Sequence, residues 1–427
     1  MSMSDSKHDD ISHARAAQVK KAAPSRWAST LQAWISGAGP KAFLKLLESR
    51  MQMGELQLTL PDGSKKTLYG RKPGAKAVLQ INHWRAAKRL LTSGGVGFAQ
   101  SYIEGDWDSL DLATLIELAA QNRRQLGDTL RGRGLAKALA RLQHLLRANT
   151  QKGAKRNIAF HYDLGNEFYK PWLDDTMTYS SALFEGGDNS LEAAQMSKYR
   201  RLLDLLEVSP GQHILEIGCG WGGFAETAAK ERGAKVTGIT LSQEQLKFAR
   251  ERIEKAGLSD RVDFQLIDYR DMQGRFDHVA SIEMFEAVGE KYWPGYFSKI
   301  HEVLKPGGRA AIQFITIEDA VYDAYRRSAD FIQTYIFPGG MLPTAKIFQD
   351  VAKAAGLDML NAKAFGQHYA QTLGQWRDRF NTAFDTGQLP EGFDETFKRI
   401  WNYYLAYCEG GFRAGGIDVM QVALTRK

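Results

Sequence analysis

The rhythm of apolar and polar positions changes three times along the chain. Residues 1–25 are polar, mixed in charge and without period, which predicts a disordered tail. Between 26 and 120 the pattern is mixed. AFLKLLESRM reads as a helix, and GELQLTLPDGSKKTLYGR alternates like two strands about Pro61, Asp62 and Gly63. HWRAAKRLLTSGGVGFAQSYIEGDWD reads as a helix broken at Gly94 and Gly95. A small α+β domain is expected there. From 157 to 427 strands (HILEIG, KVTGIT, VDFQLID, FDHVASIE, GRAAIQFI) alternate with helical stretches such as SQEQLKFARERIEKAG. That alternation predicts an α/β catalytic domain with a doubly wound, Rossmann-like sheet, whose ligands bind at the carboxyl ends of the strands.

The segment between them, 121–156, is a basic amphipathic linker. Arg123, Arg124, Arg131, Arg133, Lys137, Arg141, Arg147, Lys152, Lys155 and Arg156 face a single acid, Asp128, while Leu135, Leu139, Leu142 and Leu146 recur at helical spacing. Such a helix suits a membrane surface; it equally suits a linker packed on the next domain with a solvated basic back. Composition narrows the rest. With 427 residues, 44% hydrophobic and 25% charged, the chain is neither disordered nor fibrous. No apolar run approaches the ~18–20 residues that span a bilayer, and the N-terminus lacks the apolar core of a secretory signal. Two cysteines, Cys219 and Cys408, make no disulfide framework, so a reduced cytoplasmic compartment is expected. The histidines show no metal-ligand spacing, and no metal is expected. The net charge of +7 is compatible with anionic lipid or nucleic acid and decides neither.

HILEIGCGWGGF carries the sharpest chemistry. Its glycines, Gly218, Gly220, Gly222 and Gly223, let the backbone turn and approach a ligand closely, with Cys219 and Trp221 between them. Glu216 before the turn gives E-x-G-x-G, the form used by class I methyltransferases rather than the dinucleotide G-x-G-x-x-G. After the second strand a dinucleotide site wants an acid; here stand Thr240, Leu241 and Ser242, with Gln245 a turn further on. Tyr269 and Arg270 follow the third strand beside Asp268 and Asp271, where an acid and a ring would bracket adenine. S-adenosylmethionine is the expected cofactor.

Several segments then resemble the cyclopropane-fatty-acyl-phospholipid synthase family, related to the mycolic-acid methyltransferases. They are NIAFHYDLGNEFYKPWLDDTMTYSSALF, EIGCGWGGF, TLSQEQ, SIEMFEAVG, YIFPGGMLP, FGQHYAQTLGQWRDRF and YYLAYCEGGFRAGGIDVMQVAL. The 26–120 region is similar to the small N-terminal domain of phospholipid-acting members. The resemblance implies transfer of a methyl(ene) group to the cis double bond of an unsaturated phospholipid acyl chain. A carbocation forms, a base removes a proton from the transferred methyl, and a cyclopropane closes. It further implies peripheral work at the inner membrane face, no nucleic-acid partner, and a homodimer through the small domain. Rival readings are a small-amine methyltransferase, an RNA methyltransferase and a lipid-binding scaffold; the RNA reading lacks the Asn/Asp-Pro-Pro-aromatic tetrad, since SIEMFEAVG stands in its place.

The resemblance also implies site residues. Tyr179 and Ser180 match the contacts to the methionine end of the cofactor. The family's base is a bicarbonate held by glutamate, tyrosine, histidine and cysteine. Glu286 and Tyr369 match the first two, but Gln313 stands for the histidine and Ser181 for the cysteine. An amide and a hydroxyl still donate hydrogen bonds to an anion, without an imidazole's acid–base capacity. Glu283 adds a second carboxylate three residues before Glu286. It either serves as the base itself or merely pairs with an arginine or caps a helix. A displaced base would take a proton from the chain and leave a methyl-branched or methylene product. Ring closure is the first expectation and the open product its alternative. Cys408 matches a family cysteine and is expected to line the pocket rather than attack. Phe184, Phe285, Tyr335, Phe337, Tyr369 and Phe412 supply rings for a cation, about half of them as plain core.

Overall fold

The computed structural model describes residues 39–131, 164–185 and 190–427. The expected tail, residues 132–156 of the basic linker and the start of the catalytic segment lie outside the described residues. The chain divides into two compact units after Ser49. In the first, the described residues form a helix, Gly39–Arg50, that runs to the boundary. Everything below belongs to the second.

A four-stranded sheet comes first: β1 (Met53–Thr59), β2 (Lys65–Tyr69), β3 (Lys72–Ile81) and β4 (Trp107–Asp108), in the order β2-β1-β3-β4. β1 and β2 form the expected hairpin. Its turn is locked by Asp62, whose carboxylate accepts from the Ser64 N–H (2.9 Å) and hydroxyl (2.6 Å), while Gly63 takes φ 81°. Gly94 breaks the Arg85–Ile103 helix at φ 63°, ψ −147°, as the Gly pair predicts. Leu56, Leu58, Leu68, Leu79 and Ile81 face inward at period two.

The second sheet has seven strands: β5 (His213–Ile217), β6 (Lys235–Thr240), β7 (Val262–Leu266), β8 (Phe276–Ile282), β9 (Leu304–Ile317), β10 (Leu357–Ala364) and β11 (Ile417–Arg426), ordered β10-β11-β9-β8-β5-β6-β7. The five strands expected from the sequence pair in parallel, and β11 and β10 extend the sheet antiparallel. Both faces are covered. Leu215, Val279, Ile312, Phe314 and Val422 pack into one core, and Ile214, Val236, Ala280, Ala311 and Ala423 into the other. Neighbouring positions on one strand thus reach opposite cores, and so the buried strands read as continuous apolar runs. Gly238 on β6 is needed for closeness: a Cβ there would lie 2.5 Å from the Phe264 ring and 2.9 Å from the Cys219 Cβ.

The small sheet and its helices rest on the Glu395–Arg413 helix. Arg399 donates to the carbonyls of Tyr102 (2.7 Å) and Trp107 (3.2 Å), pairs with Asp108 at 2.8 Å and lies 4.0 Å over the Tyr102 ring. Gly410 lets this helix approach the Leu112–Gln121 helix so closely that a Cβ would sit 2.7 Å from the Ala113 carbonyl oxygen. Among the described residues, no helix is long and apolar enough to cross a membrane.

Candidate active site

The residues singled out for the cofactor gather at the carboxyl ends of β5, β6 and β7, where the fold rule puts a ligand. Gly218 (φ 83°), Gly220 (φ 50°) and Gly222 (φ 83°) all use the left-handed region, so the turn after β5 demands glycine. A Cβ on Gly220 would meet nothing within 4 Å, which leaves open space beside the turn. The side chains between the glycines face elsewhere: the Cys219 thiol packs into a core cluster, and the Trp221 indole donates to Asn166 Oδ1 at 2.7 Å. Cys219 can therefore contribute only backbone to a ligand. After β6, Ser242 caps the Gln243–Lys255 helix by accepting from the Gln245 N–H, and the Thr240 hydroxyl donates to Gln245 Oε1 at 3.0 Å, with Leu241 between them. After β7, the Arg270 guanidinium folds back on the Asp268 carboxylate (2.6 Å) and lies 5.5 Å over the Tyr269 ring. An open glycine cradle, short polar groups and an aromatic ring suit a nucleoside-bearing cofactor.

Four of the expected catalytic residues converge, though not as anticipated. The centre is the Glu283 carboxylate. Its Oε1 accepts from the Ser181 N–H (2.8 Å) and Gln313 Nε2 (2.7 Å), and its Oε2 accepts from the Tyr369 hydroxyl at 2.6 Å. Glu283 stands at the end of β8 with φ 50°, a strained value for a side chain of its size. The strain holds because the Glu283 N–H donates to the Gln313 carbonyl of β9 at 2.8 Å. It pairs with no arginine and caps no helix among these contacts. Two expectations are corrected. The Ser181 hydroxyl does not face the anion position; it donates to the Ala182 carbonyl (3.1 Å), and the backbone N–H takes its place. Tyr369 bonds Glu283 instead of joining Glu286. The Glu286 carboxylate accepts from the Ile315 N–H, and its Oε2 is buried without a partner.

Electrostatics separates the two acids. Burial, then the neighbouring Glu283 charge, pushes Glu286 up to about 8, so it is protonated at neutral pH. Burial also raises Glu283, against the Tyr369 hydrogen bond and the Lys198 ammonium, which favour its charged form. Three donors converge on Glu283 while Glu286 accepts one, an arrangement that favours the negative charge on Glu283. Burial raises the Cys408 thiol, and the Asp330 and Glu283 carboxylates add to it. Such a thiol is no nucleophile. Rings surround the carboxylate's tyrosine: Tyr369 lies 4.6 Å from Phe412 and 6.2 Å from Trp376. The Tyr179 hydroxyl bonds that of Tyr404 at 2.7 Å. Phe285 belongs to the core, stacked on Trp293. Arg326 pairs with Glu290 at 2.7 Å.

Lys198 was not among the expected site residues. It is fully buried and donates to Ser180 Oγ and Gln195 Oε1, each at 2.6 Å. A sequence signal exists: Ala194, Lys198 and Leu202 share one face of the Leu191–Leu206 helix, so an ammonium sits in an apolar stripe.

A seven-stranded doubly wound sheet with this glycine turn defines a class I S-adenosylmethionine-dependent methyltransferase. Solved structures agree. A cyclopropane synthase from Mycobacterium tuberculosis aligns at TM-score 0.60 with 29% identity, covering 64% of this chain and 98% of that one. A mycolic acid cyclopropane synthase complexed with SAH and CTAB aligns at TM-score 0.60 with 30% identity and the same coverage. The family model described as mycolic acid cyclopropane synthetase matches residues 149–422, and the chain belongs to that family. A tuberculostearic acid methyltransferase of Mycobacterium tuberculosis is 41% identical over 360 residues, 80% of this chain and 81% of its own. The cyclopropane-fatty-acyl-phospholipid synthase of Escherichia coli (strain K12) is 36% identical over 358 residues, 82% and 88% of the two chains. The protein is thus an S-adenosylmethionine-dependent methyltransferase of the cyclopropane synthase family.

Proposed function

We propose that this enzyme methylates the cis double bond of an unsaturated phospholipid acyl chain and deprotonates the resulting cation with Glu283. The observation that carries this is the carboxylate bound by Tyr369, Gln313 and the Ser181 N–H, the positions that in the family resemblance hold a bicarbonate. A built-in carboxylate takes over the anion's task, and no bicarbonate is required. S-adenosylmethionine supplies an electrophilic methyl when bound. Gly218, Gly220, Gly222, Thr240, Leu241, Gln245, Tyr269 and the Tyr179–Ser180 segment would hold it.

The chain's residues do the remainder. The Glu283 charge and the rings of Tyr369 and Phe412 stabilise the positive carbon. Tyr369 and Gln313 fix the carboxylate's direction, so it removes the proton nearest one point. Its raised affinity for protons brings it closer to neutral pH, which suits a general base. Glu286, kept neutral, adds no competing charge.

Loss of a proton from the chain gives an alkene, an outlet lower in energy than a strained three-membered ring. Closure therefore needs a base aimed at the transferred methyl. With the family's anion set altered at Gln313, Ser181 and Glu283, we assign the open, methylated chain as product. The relative named a methyltransferase supports this reading. Ring closure is the second reading, favoured by the E. coli relative's name. That relative's printed substrate class and its long alignment support a phospholipid substrate. We further propose that the enzyme works peripherally at the cytoplasmic membrane face, with 26–120 as a lipid-associated domain and a homodimer as the working assembly.

The test is the mass of acyl chains from unsaturated phospholipid vesicles incubated with protein and S-adenosylmethionine, followed by catalytic hydrogenation that spares rings. A gain of one CH2 with subsequent hydrogen uptake is expected. The same gain without uptake assigns a cyclopropane, and no gain removes the lipid reading.

A further inference from the structure

The mechanism above leaves the buried ammonium of Lys198 without a task. A lysine with no exposure is costly unless its charge is used or lost. Its Nζ lies 2.6 Å from Ser180 Oγ and 2.6 Å from Gln195 Oε1. Gln195 in turn donates to the carbonyls of Ser180 (3.0 Å) and Thr178 (3.5 Å). The two side chains together pin the 178–181 strap to the Leu191–Leu206 helix. The residue that follows Ser180 in that strap, Ser181, presents the N–H that bonds Glu283.

A second route starts from the lysine's main chain. Gln421 Nε2 donates to the Lys198 carbonyl (3.3 Å) and to Gln313 Oε1 (2.9 Å). Gln421 stands directly opposite Gln313 across β9 and β11. Because Gln313's oxygen is occupied by that donor, its NH2 group is turned to Glu283. Two of the three hydrogen bonds on the carboxylate are thus set from outside the site, and both lines meet at residue 198.

We propose that Lys198 is the positioning residue of this site: through Ser180 and the Ser181 N–H it fixes the Glu283 carboxylate, and its own charge favours the carboxylate's charged form. The proposal rests on Glu283 being the base. The groups facing Lys198 are Glu283 at the end of β8, Asp174 in the preceding loop, Glu216 on β5 and the ring of Tyr199, 4.6 Å away on its own helix. Glu283 also faces Tyr369 and Glu286. Lys198 favours the charged form of Glu283, so its removal is felt there as the loss of a neighbouring cation. Burial pushes Lys198 itself down to about 7, so its electrostatic hold on Glu283 weakens as pH rises through neutrality.

The experiment is an infrared titration of the whole protein. The protonated-carboxyl band of Glu283 is isolated as the difference between wild type and Glu283→Gln. In Lys198→Met the midpoint should rise by roughly one pH unit, since an opposite charge nearby lowers a carboxyl by about 1–3 units. Lys198→Arg should return part of that shift, which a purely structural role would not require. If Lys198→Met does not fold, Ser180→Ala cuts the same link and should move the midpoint in the same direction. An unmoved midpoint in the folded variant overturns the proposal. Turnover on dioleoyl phosphatidylglycerol vesicles separates the two claims. If Glu283→Gln keeps its rate while the Lys198→Met midpoint still shifts, the base assignment fails and the coupling stands.

Discussion

Glu283→Gly isolates the proposed base from its setting. Glu283 holds φ 50°, where an L side chain costs about 1–2 kcal/mol, so glycine relieves the backbone instead of straining it. The site loses more than it gains. The Tyr369 hydroxyl, the Ser181 N–H and Gln313 Nε2, bonded at 2.6, 2.8 and 2.7 Å, lose their acceptor together. A buried donor without a partner costs about 1–3 kcal/mol, less where water enters. A lower melting temperature is therefore expected despite the relieved φ. Loss of a general base costs about 10²–10⁴-fold in rate, or roughly 3–5 kcal/mol of barrier. The emptied position retains three donors around a carboxylate-sized gap. Bicarbonate or formate should enter it and restore methylation of vesicle lipid in a dose-dependent way, raising the melting temperature in parallel. Wild type, whose own carboxylate fills that position, should be indifferent to added bicarbonate. Wild-type stimulation by bicarbonate, or a Glu283→Gly enzyme with undiminished rate, would refute the reasoning.

Three further outcomes follow from geometry elsewhere. Gly220→Val places its side chain where no protein atom lies within 4 Å, at φ 50°. Calorimetry should show S-adenosylmethionine binding abolished for a folding cost of only about 1–2 kcal/mol, and retained affinity would move the cofactor elsewhere. Glu286 titrates near 8 when folded and near 4.5 when unfolded, so the folded chain holds the extra proton between those values and stability falls as pH rises across them. Glu286→Gln should flatten that decline in melts at pH 5 and pH 8; an unchanged slope would show the acid to be ordinary. Gly410→Ala forces a Cβ to 2.7 Å from the Ala113 carbonyl oxygen and 2.8 Å from the Glu117 nitrogen. Overpacking of this kind costs roughly 1–3 kcal/mol, to be read from urea unfolding, and an unaltered midpoint would mean that the two helices part readily.

Much of the architecture is local in origin, and so a single sequence reveals it. The hairpin at Asp62 and Gly63, the break at Gly94 and the five parallel strands each follow from propensities within a few residues. The turn after β5 is legible for the same reason, because three positive φ values in five residues admit little but glycine. β10 and β11 escaped although Gly356 (φ 81°) and Gly415 (φ 68°) turn the chain just before them, because the sheet edge that makes them strands belongs to β9, distant in the chain.

The arrangement of the candidate site was decided by tertiary structure. SIEMFEAVG shows two carboxylates three residues apart, and nothing in that spacing says which of them meets Tyr369, 86 residues further on. The left-handed φ at Glu283, held by the Gln313 carbonyl of a neighbouring strand, turns the first toward Tyr369, while the Ile315 N–H claims the second. At Ser181 the hydroxyl donates to the Ala182 carbonyl, and the backbone N–H is the group that bonds Glu283. Sequence by itself thus determined the fold and the cofactor turn. Which acid gathers the donors was decided by partners distant in the chain, because the setting of a buried group depends on who surrounds it in space.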